Sequence, residues 1–294
     1  MLDACTISEY RDYLINERQA SANTVSSYVR DITQFAEYLG KMGVNSFYDV
    51  CEDDVRLFLL HLDKKGRSNA TMTRCVASLK GFYNHLSCEN DMTINPVVGI
   101  SSVTVEKKLP RLLTGEEIDC LLEQPDISDQ KGCRDKAMLE TLYATGMRVS
   151  ELIALDISDI SISTMLITCR NDRVRSIPLY VGAVKAISDY MSNVREYMAT
   201  PDETALFVNT NGRRMSRQGC WKILKSYADK AQIDEDITPR TLRNSFAAHL
   251  LENGADIHLL QEILGHADIS STQVYARAVK QQLKDVYNKA HPRA

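Results

Sequence analysis

In the first ninety residues apolar side chains recur at spacings of three and four, with almost no alternation of two, which confines this region to amphipathic helices. Ile7, Tyr10, Tyr13 and Leu14 mark a helix over about 6–19. Val25, Tyr28, Val29, Ile32, Phe35, Ala36 and Leu39 mark a second, capped by Ser21 or Asn23 and stopped by Gly40 and Gly43. Val55, Phe58, Leu59 and Leu62 share one face of a third helix, from about Glu52 to Leu62. Met72, Val76, Leu79, Phe82, Tyr83 and Leu86 share one face of a fourth, from Asn69 to about Leu86. Four short-linked helices, each apolar on one side, can bury those sides only against one another, so residues 1–94 form a helical bundle.

The pattern breaks at 95–112, where Asn95-Pro96, Gly99, paired serines, Lys107-Lys108 and Pro110 read as a linker. A second domain, 113–294, opens on Thr114-Gly-Glu-Glu117, a capping box that starts a helix. Further helices are expected over Gln130–Tyr143, from Ser150, and over about 216–231, 239–253, 256–264, 271–278 and 279–289. Strand signals cover Met165–Cys169 and Val174–Leu179, a hairpin turning at Arg170-Asn171-Asp172-Arg173, and Leu206–Asn209. The expected fold is mainly α: an all-helical first domain and an α+β second domain with a small antiparallel sheet.

With 35 Lys+Arg against 39 Asp+Glu, the formal net charge is -4, which excludes a strongly basic, histone-like binder. Neither domain is cationic overall, with 10 basic and 13 acidic side chains in residues 1–100 and 25 and 26 in the remainder. Net charge thus gives no general attraction to phosphate, and any grip on nucleic acid must come from local clusters. Eight cysteines form no Cys-x-x-Cys pair, so metal-ligand spacing is missing and the thiols are expected reduced and mostly buried. No apolar stretch approaches a bilayer span and no signal peptide opens the chain, so a cytoplasmic protein without membrane association is expected.

Chemistry concentrates in four pieces of the second domain: Ala144-Thr-Gly-Met-Arg148-Val-Ser-Glu-Leu152, Thr238-Pro-Arg240-Thr-Leu-Arg243-Asn-Ser-Phe-Ala-Ala-His-Leu-Leu251, Leu264-Gly-His266 and Ser270-Ser-Thr-Gln-Val-Tyr275. Cutting a phosphodiester without metal needs a nucleophile, cationic donors for the nonbridging oxygens and a proton source for the leaving oxygen. Arg148 follows a glycine turn, and Arg240 and Arg243 lie three apart on one helix, where both can face one phosphate. His266 follows a helix-ending glycine, and Tyr275 offers a phenol. Taken singly, each has a structural reading: solvated arginines, a capping histidine, a packing tyrosine, and Arg148 paired with Glu151 or Asp156.

As an ordered set these pieces resemble the tyrosine recombinase (phage integrase) family, most closely its Xer-like branch. The resemblance covers the whole chain, because the family places a helical core-binding domain before the catalytic one. It implies a site-specific recombinase with Tyr275 as nucleophile, a 3′-phosphotyrosyl intermediate, Arg148 and Arg243 on the phosphate, His266 as a phosphate ligand and Glu151 orienting Arg148. Because bond energy stays in the covalent link, it implies no cofactor. Two positions depart from the family pattern. The hairpin lysine, its general acid, aligns on Arg170, with Arg173 and Arg175 as alternatives, and the histidine before the second arginine is Arg240. Arginine binds phosphate well but handles protons poorly. That leaves His266 or water as proton shuttle, and a catalytically impaired DNA-binding protein of the same fold as the alternative function.

Expected DNA contacts are Arg173, Arg175, Arg213, Arg214, Arg217 and Lys222, on a double-stranded site clamped by the two domains. Self-association into a tetrameric synapse, or assembly with a related recombinase, is implied, with segment 279–289 docking on a neighbouring or its own subunit. Dimer resolution, mobile-element integration and inversion are equally compatible roles.

Overall fold

The computed structural model describes residues 4–89, 95–101, 111–170, 174–233, 237–265, 272–276 and 278–279. The chain divides into two units, Met1–Lys107 and Lys108–Ala294.

In the first unit the four expected helices form: α1 Ala4–Asn16, α2 Ala22–Lys41, α3 Glu52–Lys64 and α4 Asn69–Glu89. Of the two candidate caps for α2 the backbone uses Ser21, whose hydroxyl accepts from the Thr24 amide at 3.2 Å. The apolar faces meet in one core around Tyr10, Phe35, Phe47, Phe58 and Phe82, with Phe82 set edge-on to both Tyr10 and Phe47. Inside this core α2 and α4 are also joined by charge: Arg74 Nη1 donates to the buried Asp31 carboxylate at 2.7 Å, and Ser78 donates to the same oxygen at 3.2 Å.

The second unit begins with α5 Gly115–Glu123, closed by the expected capping box: the Glu117 amide donates to the Thr114 hydroxyl at 3.1 Å and the Thr114 amide to the Glu117 carboxylate at 2.8 Å. Helix α6, Gln130–Thr145, is buried along most of its length and forms the axis of the larger core. After α7, Val149–Leu152, a three-stranded antiparallel sheet follows in the order β1 Ile160–Ser161, β2 Leu166–Cys169 and β3 Arg175–Pro178, with Ile167 opposite Ile177. Helix α8, Val181–Tyr190, runs on through a π-helical turn, Met191–Arg195, into α9, Glu196–Met198. The unit continues with α10 Arg217–Lys230, α11 Pro239–Glu252 and α12 Ile257–Leu264.

Three elements differ from the expectation, the first being the two-residue β1, which carries no strand signal. Leu206–Asn209 is no strand but carries one isolated bridge, Val208 to Arg214, with a second at the preceding Ala205, to Asp156. The physical reason is that Arg195 donates to the carbonyls of Ala205 and Leu206, which a strand partner would otherwise take. Conversely, residues 181–198 form the unexpected α8 to α9 run. All eight cysteines are free, four buried and four exposed, rather than mostly buried. The segment 279–289 lies outside the described residues beyond Val279.

Candidate active site

Three helix ends converge on Arg243. Helix α11 is started by Thr238, whose hydroxyl accepts from the Thr241 amide at 3.2 Å, with Pro239 at its first position. This sets Arg243 one turn in, buried at 6% exposure. Its Nη1 donates to the Gly146 carbonyl at 2.7 Å and its Nη2 to the Leu264 carbonyl at 2.8 Å. Both acceptors sit at helix C-termini, of α6 and α12, where carbonyls lack partners and the dipole favours a cation. Both helices end in left-handed glycines, Gly146 at φ 55° and Gly265 at φ 63°, a backbone that side chains with a Cβ rarely adopt. Arg243 also hydrogen-bonds the side chain of Tyr275. Burial, and next the charge of Arg148, push the guanidinium below the ordinary arginine range, while Tyr275 and Glu151 oppose that shift.

Glu151, 4% exposed, joins the cations. One carboxylate oxygen accepts the Arg148 amide at 2.7 Å and lies 4.0 Å from Arg243 Nη1. The other lies 3.4 Å from Arg148 Nη1 and 2.9 Å from Arg175 Nη2. Three guanidiniums around one carboxylate leave a local excess of positive charge, in a chain whose total is -4. Arg148, 41% exposed at its side chain, is the most exposed of the three arginines. Tyr275 is 7% exposed and packs with Phe246, Ala247, Leu260 and Leu264, so its ring is fixed by a small apolar cluster while its hydroxyl meets Arg243.

The structure thus brings together Tyr275, Arg148, Arg243 and Glu151. His266 and Arg173 lie outside the described residues. Arg170 is 62% exposed at its side chain and paired with Asp159 at 2.5 Å. Arg240 is exposed on the first turn of α11, and Arg213, Arg217 and Lys222 are exposed around the start of α10. Two expected DNA contacts are instead committed to the protein. Arg214 donates to the carbonyls of Ile153 and Leu155 at 2.9 and 3.2 Å and pairs with Asp156 at 2.5 Å. Arg175, 9% exposed at its side chain, joins the site through Glu151. The signal for Arg175 was present in the sequence: alternation along β3 puts it on the same face as the buried Ile177, opposite the exposed Ser176 and Pro178. Among the described residues no group of His, Cys, Asp or Glu could hold a metal ion, and no helix is long and apolar enough to cross a membrane.

The sequence profile of the phage integrase family matches residues 111–282, and that of the phage integrase N-terminal SAM-like domain matches 7–90. The chain belongs to the tyrosine recombinase (phage integrase) family. This recombinase is 43% identical over 282 residues to tyrosine recombinase XerD of Halalkalibacterium halodurans, covering 95% of this chain and 94% of the relative. It is also 43% identical over 293 residues to XerD of Oceanobacillus iheyensis, covering 98% of each. Among solved structures, the XerH site-specific recombinase bound to a palindromic difH substrate in a post-cleavage complex shares the fold, with a TM-score of 0.76 and 24% identity over 96% of this chain and 84% of that one. The expected family, mainly helical fold and site-specific recombinase activity, cutting and rejoining DNA, therefore hold.

Proposed function

We propose that Tyr275 is the nucleophile of strand cleavage and that Arg148 and Arg243 hold the scissile phosphate, with Glu151 orienting Arg148. The observation that carries this reading is the hydrogen bond between the Tyr275 and Arg243 side chains within a cluster of three arginines. The Arg148 and Arg243 guanidiniums stabilise the charge that grows on the nonbridging oxygens as the tyrosyl oxygen attacks phosphorus. The tyrosyl oxygen forms a bond to the 3′-phosphate and the 5′-oxygen leaves with a proton from His266 or water. The free 5′-hydroxyl of the partner duplex then reverses the step, so phosphodiester energy is kept in the covalent link. Arg170 and Arg240 serve as further cations, and Arg213, Arg217 and Lys222 as phosphate contacts on the duplex. Recombination proceeds in a tetramer on paired double-stranded sites, each protomer using its own tyrosine, since Tyr275 meets Arg243 of the same chain.

A duplex with a nick beside the cleavage position traps the covalent intermediate, because the short cut strand diffuses away. The expected result is a protein–DNA adduct that disappears in Tyr275→Phe. Tight DNA binding with no adduct in the wild type would replace this reading with the impaired, DNA-binding one.

A further inference from the structure

We infer that Arg175 is a positioning residue of strand cleavage: from β3 it ties the hairpin at once to Glu151 and to the C-terminus of α12, and so sets the groups that handle the phosphate. The inference rests on the assignment of Tyr275, Arg148 and Arg243 to the reaction.

Its placement is unlike that of a DNA contact. The preceding residue, Val174, is 75% exposed, yet the Arg175 side chain is 9% exposed. Its Nε donates to the Ile263 carbonyl at 2.7 Å. Its Nη2 lies 2.9 Å from Glu151 as an ion pair, off the line of a hydrogen bond. A Cβ added to Gly265 would sit 3.0 Å from Nη1 and 3.1 Å from Cζ, so the glycine that ends α12 leaves room for this guanidinium as well as supplying the left-handed turn.

Each contact leads to a phosphate-handling group. Glu151, held by Arg175 on one oxygen, holds the Arg148 amide on the other. Ile263, held by Arg175, adjoins Leu264, whose carbonyl is held by Arg243. Arg175 and Arg243 therefore grip neighbouring carbonyls at one helix end and share one carboxylate. A lysine cannot replace this arrangement, because one ammonium at the end of a flexible stem cannot meet a carbonyl through Nε and a carboxylate through Nη2 at once.

The test compares wild type, Arg175→Gln, Arg175→Lys and Gly265→Ala in single-turnover adduct formation on the nicked duplex. The DNA is saturating, the temperature lies well below each melting point, and affinity is titrated across salt in parallel. We expect the rate constant to fall about 100-fold in Arg175→Gln, the effect of a displacement near 1 Å in a reacting site. Lysine should fail to restore the rate, Gly265→Ala should slow the step with Arg175 still present, and final adduct yield, Kd and salt slope should stay at wild-type values. A wild-type rate in Arg175→Gln would overturn the inference. So would an unchanged rate with a lower yield, the mark of a purely structural role. Weaker binding with a salt slope reduced by about one and an unchanged saturated rate would make Arg175 a phosphate contact instead. A wild type that forms no Tyr275-dependent adduct would overturn the underlying assignment, a result distinct from any of these.

Discussion

Gly146→Ala should damage the recombinase twice, through its fold and through its site. At φ 55° an alanine is strained by about 1–2 kcal/mol. Its Cβ would also lie 2.2 Å from Phe246 Cδ1 and 2.7 Å from Cε1, where carbon atoms need about 3.5–4.0 Å. Phe246 is buried on α11, so it cannot swing into solvent, and crowding of this kind costs about 1–3 kcal/mol. Together these predict about 2–5 kcal/mol of destabilisation, a fall in Tm of about 5–15 °C for a unit of this size. The relief must move either Phe246, three residues from Arg243, or the Gly146 carbonyl that Arg243 holds at 2.7 Å. Either shift exceeds 1 Å, so cleavage by the molecules that remain folded should slow by about 100-fold. Thermal unfolding and single-turnover adduct formation at low temperature measure the two effects separately. A variant within about 0.5 kcal/mol of wild type and cutting at the wild-type rate would refute the reasoning, because that margin is what an unconstrained surface change produces.

Other perturbations separate structural from functional arginines and test the buried groups. Arg214→Ala removes donors from two carbonyls and one carboxylate, and should cost about 2–4 kcal/mol in thermal unfolding while leaving the salt slope of DNA binding unchanged. A slope lower by about one with little loss of stability would make it a DNA contact. Burial raises the Asp31 carboxyl above the usual aspartate range, against the opposing pulls of Arg74 and Ser78. Its contribution to stability is therefore present below the unfolded-state value and is lost as pH rises through the folded-state one. Asp31→Asn, which cannot ionise, should gain on wild type as pH rises from about 4 to 7, and a pH-independent difference would contradict this. Burial also raises the thiol of Cys169 to about 11 and those of Cys75 and Cys220 to about 12. A maleimide at pH 8 should therefore label the exposed Cys5, Cys51, Cys88 and Cys120 first, and early labelling of Cys169 by peptide mapping would be inconsistent with its burial.

The helices were legible where one face is buried and the other wet, because a period of 3.6 then prints itself on the residue order, as in α2 with Val25, Ile32, Phe35 and Leu39. Helix α8 buries Ala183, Ala186, Ile187 and Tyr190 at helical spacing, but two of the four are alanines, which mark an apolar face weakly, and its continuation is π-helical, outside that period. Strand β1 spans two residues, too few for an alternation to register. Leu206 and Val208 looked like strand residues because they are apolar, but the carbonyls of Ala205 and Leu206 go to the Arg195 side chain, which no local pattern reveals. The site divides in the same way. Arg148 and Arg243 sit in recognisable motifs, whereas the importance of Arg175 depends on α12 and Glu151 closing around it, contacts that join residues 88 positions apart. Net charge misdirects for a related reason: the total of -4 is an average, and the site concentrates arginines around one carboxylate.

The chemical identity of the DNA–protein link tests the central claim most directly. Adduct trapped on a nicked duplex, digested with protease and nuclease and sequenced by mass spectrometry, should yield a nucleotide joined through its 3′-phosphate to the peptide containing Tyr275. A nucleotide on any other residue, or linkage through a 5′-phosphate, would contradict it.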